Sequence, residues 1–387
     1  MRFLLPCFAV LLCGIAVAAN FWPHDPGAPL CELGLCRFNQ MYQSASGNLD
    51  QKHLAALLLQ DPNNPDAWCS YAEYQALQQD FGAASQAFER AMKIAPGLPS
   101  VAMRAANFYF THNQREKGFA LSKRILTQTD AFDEILFSYL RLSPQPISQT
   151  IGYAVPADPR AARSWLHWML KQDAPRPDVL AVWDWMKQNH LGNEESAVSL
   201  VNYFWRQHTF QTAYSLWSGW QRGESAKSAM PAGGRAQLLN NPTFAQPPNP
   251  VPFDWNLTAS PAVEFVRGPE GLDVHFLGAD NADFRGLRQY AALPAGQYRL
   301  EAEISAEGLT TDQTPFFQIE DSEVASRLSA RTPPLPANTP HSTVTLKFTV
   351  PPETRTVDIH LARLPSLKFD NKIAGHLRVH SVKLVQL

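Results

Sequence analysis

The sequence predicts a multidomain α and β chain, a helical-repeat solenoid first and an all-β sandwich second. Three observations carry this. Residues 51–222 place apolar side chains at helical spacing, with short polar joints and proline breakers between the runs. At about 223–236, beginning "GESAKSAMPAGG", small residues, Gly and Pro replace the aromatics. From 237 onward apolar and polar residues alternate in short runs separated by Pro, Gly, Asn or Asp.

A chain of 387 residues is too long for one ordinary domain and fits two. With 45% hydrophobic and 18% charged residues it is globular in composition. A formal net charge of −2, without any Lys/Arg cluster, gives no field for holding a nucleic acid, so nucleic acid is excluded as partner.

The opening "MRFLLPCFAVLLCGIAVAAN" has one Arg, a short apolar run and small residues at its end, the pattern of a secretory signal over residues 1–19. An uncleaved anchor is the alternative. The expected product is exported, to the periplasm or beyond, and touches a membrane only through that signal. Residues 20–50 read as an extended segment in which Cys31 and Cys36, within "CELGLC", are close enough to pair in an oxidising compartment. Cys69 lies beside Trp68 in a helical pattern and reads as a small buried hydrophobe.

Residues 65–96 can be read position by position. Trp68, Tyr71, Ala72, Ala84, Phe88, Ala91 and Pro96 fall where a tetratricopeptide repeat places its packing residues. Small Ala72 and Ala84 let two antiparallel helices approach, Trp68 and Phe88 fill the wedge, and Pro96 ends the second helix. A degraded second copy starts at Pro99, with Ala102, Ala105, Ala106 and Tyr109 on one helix and Gly118 and Ser122 on the next. Later segments keep helical periodicity without the consensus, making about ten helices in a solenoid. Trp165, Trp168, Trp183, Trp185, Trp205, Trp217 and Trp220 crowd these later helices and are expected mostly between them.

Eight strand-like runs follow. Tyr298, Leu300, Ala302 and Ile304 alternate with Arg299, Glu301, Glu303 and Ser305, so each strand has one wet face and two packed sheets are expected. In the last run Leu377 and Val379 are out of phase with Val382 and Leu384, which asks for a bulge at His380–Ser381.

Asn241, Phe244, Pro294, Gly296 and Tyr298 stand in an order that resembles jelly-roll modules of the carbohydrate-binding-module kind: an N-x-x-F strand opens them and a Pro-Gly-x-Tyr turn follows an aromatic strand. His380 and Ser381 occupy the place of that family's closing acidic pair. With the repeats, the chain resembles exported bacterial tetratricopeptide proteins linked to exopolysaccharide assembly. The resemblance implies a jelly-roll tail over 237–387 and a place in envelope or polysaccharide work.

No motif for zinc hydrolysis, a nucleophile elbow, a phosphate loop or a redox Cys pair is present, and neither a cofactor nor a metal is expected. The sequence therefore points to a non-enzymatic scaffold holding a protein partner on its solenoid. A carbohydrate-binding role for the sandwich is the alternative, with Phe253, Asp254, Trp255 and Tyr290 as its contacts: aromatic faces stack on sugar rings and the acid accepts hydroxyl hydrogen bonds. The competing reading makes "PFDW" a plug at the sandwich edge. Glycoside hydrolysis, needing two facing carboxylates, is a remote third. Asp280, Asn281 and Asp283 offer oxygen ligands but read as a polar loop. His275, His360, His376 and His380 read as outward, solvated strand positions.

Overall fold

The computed structural model describes residues 51–225 and 237–387. The signal at 1–19, the extended segment at 20–50, the Cys31–Cys36 pair and residues 226–236 of the joint lie outside the described residues. Contact density divides the chain into two compact units between Gly192 and Asn193.

In the first unit, α1 (Gln51–Gln60) precedes four helix pairs: α2 (Pro65–Leu77) with α3 (Phe81–Ile94), α4 (Pro99–Thr111) with α5 (Arg115–Gln128), α6 (Asp133–Arg141) with α7 (Ile147–Ala154), and α8 (Pro159–Lys171) with α9 (Arg176–Gln188). First helices of successive pairs touch one another, α2 with α4 and α6 with α8. Second helices do likewise, α5 with α7 and α7 with α9, which makes the two-layered, tetratricopeptide-like solenoid that the spacing predicts.

The local causes are visible. Asn64, Asp80 and Asp158 each accept a hydrogen bond from the backbone N–H three residues on, starting α2, α3 and α8. Several first helices close alike. Gln79, Asn113 and Asp173 have positive φ, and the next residue donates its N–H five residues back, Asp80 to Gln75, Gln114 to Tyr109 and Ala174 to Met169. Ala72, Ala84, Phe88 and Ala91 are buried as expected, and Pro96 follows the end of α3. Trp68 departs from its expected place in the wedge: it is half-buried, with its indole N–H donated to the Pro62 carbonyl at 2.9 Å. Cys69 is wholly buried, and burial pushes its thiol up to about 12.

The second unit begins with α10 (Glu194–Arg206) and α11 (Phe210–Ser225), which pack on each other. Ten strands follow: β1 (Asn256–Leu257), β2 (Val263–Gly268), β3 (Gly271–Leu277), β4 (Phe284–Ala291), β5 (Gly296–Glu307), β6 (Phe316–Asp321), β7 (Ser329–Arg331), β8 (Thr339–Val350), β9 (Val357–Arg363) and β10 (Ala374–Gln386). They form two antiparallel five-stranded sheets, ordered β1-β4-β9-β6-β7 and β2-β3-β10-β5-β8, a jelly-roll sandwich. The eight expected runs are present; β1 and β7 are short edges that no periodicity announces.

The bulge falls between Val379 and Ser381. It brings Leu377, Val379, Val382 and Leu384 all into the core despite their broken phase. The N-x-x-F stretch differs from the opening strand expected of it. Asn241 and Phe244 both have positive φ, and the turn is closed by Asn241 side-chain bonds to the Gln246 backbone. It runs beside β10, through Leu238 N–H to Leu384 O and Val382 N–H to Pro242 O.

Candidate functional site

The sandwich sets Phe253-Asp254-Trp255 in packed surroundings. Trp255 is 2% exposed, its ring lies 5.1 Å from that of Phe244, and its indole N–H is given to the Asn241 carbonyl. Asp254 is equally buried. It accepts from the Trp255 and Asn249 backbone N–H groups at 2.8 and 2.9 Å, and burial raises its carboxyl above the usual range against those hydrogen bonds. Phe253 packs edge-on to Trp205 of α10 and Tyr214 of α11. Tyr290 is half-buried under Trp205, with ring centroids 4.8 Å apart. Phe253 and Tyr290 join the helical pair to the sandwich, and the buried ring of Trp255 has no free face to offer a ligand.

What faces outward on the same sheet is polar. Register places Arg288 of β4 and Gln318 of β6 directly opposite His360 of β9, and Tyr290 and Glu320 opposite Asp358. Arg288 Nε is 3.2 Å from Asp358 Oδ1, and His360 Nδ1 is 3.4 Å from the same oxygen. His360 is 0% exposed, contrary to its expected solvation, and neither ring nitrogen has a hydrogen-bond partner. Burial first, and then the Asp358 charge, raises the Tyr290 hydroxyl. The arrangement is a patch of donors and acceptors on a rigid sheet.

The other strand histidines pair across strands. His275 stacks on His376 at 4.0 Å, and His341 on His380 at 4.4 Å. His275 and His376 are register partners on β3 and β10, while β8 and β10, which carry His341 and His380, flank β5, so spacing along one strand could not reveal either pair. Among the described residues, no group of three His, Cys, Asp or Glu is arranged to hold a metal. The loop of Asp280, Asn281 and Asp283 is instead organised by a buried guanidinium: Arg363 donates to Asn281 Oδ1 and to the carbonyls of Gln313 and Asn371.

In the helical unit, a groove of about 1080 Å³ opens along α7 between α5 and α9, on the second-helix layer. Its lining mixes apolar Phe119, Ile151 and Trp185 with Arg115 and Gln149. Tyr153 stands over it, 74% exposed. Trp165, Trp168, Trp183 and Trp217 are buried as the sequence predicts, and Trp185 remains half-exposed at the groove.

No family model and no curated protein matches the sequence. Solved structures resemble parts of it. The enzymatically active domain of bacteriophage CBA120 tailspike protein 4 is 14% identical over 39% of this chain, with TM-score 0.27; the match spans only 21% of that chain. TmCBM61, solved with beta-1,4-galactotriose, is 17% identical over 39% of this chain and 99% of its own, with TM-score 0.27. YrrB, described as a TPR protein with an unusual peptide-binding site, is 9% identical over 42% of this chain and 88% of its own, with TM-score 0.24.

Proposed function

We propose that the chain is a non-enzymatic, exported scaffold whose helical unit binds a protein partner, in exopolysaccharide or cell-envelope assembly. The observation that carries this reading is the α5–α7–α9 groove. It has the size and mixed lining of a ligand cleft, and an exposed tyrosine, an arginine and glutamines beside apolar walls suit an extended peptide, whose backbone needs hydrogen bonds as its side chains need apolar cover. Panning a peptide library on the full chain tests it. Selected peptides are expected to bind saturably and to weaken at least about tenfold with Tyr153→Ala, a hot-spot loss of roughly 1.4 kcal/mol or more. Failure to select any peptide, or binding indifferent to Tyr153→Ala and Gln149→Ala, counts against it.

A second reading, glycan binding by the sandwich, is favoured by the outer face around His360. Half-buried Arg288, Tyr290 and Gln318 put donors and acceptors on that face that suit the hydroxyls of a sugar. Affinity electrophoresis of the full chain through gels containing the producing organism's extracellular polysaccharide tests this. Retardation abolished by Arg288→Ala supports it; absence of retardation, or retardation that Arg288→Ala leaves intact, rejects it.

A further inference from the structure

The β2-β3-β10-β5-β8 sheet ends in two edges, β2 of six residues and the longer β8. Strand β8 spans twelve residues and pairs only with β5, and among the described residues no backbone hydrogen bond reaches its other side. The other sheet ends differently, in β1 of two residues and β7 of three, edges too short to recruit a strand. The direction of the free groups follows from the register. Leu387 donates its N–H to Gln297 O, so the odd-numbered residues there turn their backbone groups toward β10. Tyr298, Leu300 and Ala302 therefore exchange bonds with Phe348, Leu346 and Val344. The N–H and C=O groups of Thr343, Thr345, Lys347 and Thr349 point out of the sheet.

We infer that β8 is a self-association edge, where a second copy of this chain adds its own β8 antiparallel and joins the two sheets into one. The strand is complementary to itself. A twofold axis at Thr345 overlaps residues 340–350 fully and places Thr345 opposite Thr345 of the second copy, a favourable cross-strand pair. Lys347 then faces Thr343, His341 faces Thr349, and Val344 faces Leu346. No like charges meet, and residues 339–350 contain no acid. Val344 and Leu346 pack against the core yet are only partly buried, so their mutual contact completes a burial that the single chain leaves unfinished. Protection against indiscriminate pairing is limited to Pro340 at the strand's start and Lys347 near its end.

Sedimentation velocity of the full chain over a wide concentration series tests this. The wild type is expected to dimerise. Thr345→Pro, which removes an outward N–H, and Thr345→Lys, which sets two ammonium groups face to face on the axis, are expected to sediment as monomers. Thr345 is exposed, so Thr345→Lys keeps the fold and decides the matter should the proline variant misfold; unchanged far-UV circular dichroism checks this. A wild type monomeric throughout the series overturns the inference. A dimer that survives Thr345→Lys overturns it too, since its interface lies elsewhere.

Discussion

Asp254 and Asp321 are buried carboxylates of one sandwich with opposite protonation behaviour. At Asp254 burial prevails over its hydrogen bonds and the pKa rises. At Asp321 burial also pushes upward, but it is outweighed by the Val324 and Glu323 N–H groups, the Thr354 hydroxyl at 2.7 Å and Arg327 at 3.7 Å, and the pKa falls. Linkage fixes the signs. The contribution of Asp254 is present below its unfolded value and is lost as pH rises through the folded one. In urea melts, the stability difference between wild type and Asp254→Asn is therefore expected to grow as pH is lowered from about 7 to about 4. Asp321 contributes above its unfolded value, so the corresponding difference for Asp321→Asn is expected to shrink between about pH 5 and pH 2. Trp255→Ala removes a plug residue and is expected to destabilise the full chain by about 3–5 kcal/mol in the same melts. An aromatic beside an acid is equally the signature of a sugar contact and of an edge plug, so sequence alone left Trp255 open. In the fold its ring packs 5.1 Å from that of Phe244 and is buried, the surroundings of a plug. His360 was illegible for a related reason. Alternation places it on the outer face, but its cross-strand neighbours Arg288 and Gln318 are set by strand register, which one strand's sequence does not state.

The helices were legible wherever sequence states a packing rule. Ala72 and Ala84 are small because α2 and α3 meet there, and Ala84→Leu is expected to overpack that contact and destabilise the helical unit by about 1–3 kcal/mol, read as a lower thermal midpoint. Helix ends carry a second rule, which is followed in geometry but not in residue type. Gln79 occupies the left-handed position at φ 64° that favours glycine, and it is exposed. Gln79→Gly is expected to stabilise the unit by up to about 1 kcal/mol by relieving the left-handed penalty. Such ends are hard to see in sequence because Gln, Asn, Asp and His stand where glycine is the usual signal. Strands were read through alternation, and β10 kept its place through a bulge that its broken phase demanded. The two-residue β1 and three-residue β7 are shorter than any period can mark.

At the scale of the molecule, the junction can be drawn in two places. The change of composition at 223–236 puts the whole helical run in one domain, whereas contact density groups α10 and α11 with the sandwich. The physical cause is a set of aromatics that read as solenoid wedge residues. Trp205 packs on both Phe253 and Tyr290, Tyr214 packs on Phe253, Asn202 donates to the Pro250 carbonyl, and the Arg355 guanidinium lies over the Phe210 ring. Periodicity gives such residues a helix face but does not name what that face covers. If α10 and α11 belong to the folding unit of the sandwich, a fragment of residues 193–387 is expected to unfold at higher urea than one of residues 237–387, where Phe253 and Tyr290 lose their cover. Trp205→Ala in the longer fragment should bring the two midpoints closer, with a loss on the order of 3 kcal/mol for a large aromatic removed from a packed contact. Equal midpoints for the two fragments would return the boundary to 223–236. The helical pair would then be the end of the solenoid, resting on the sandwich without stabilising it.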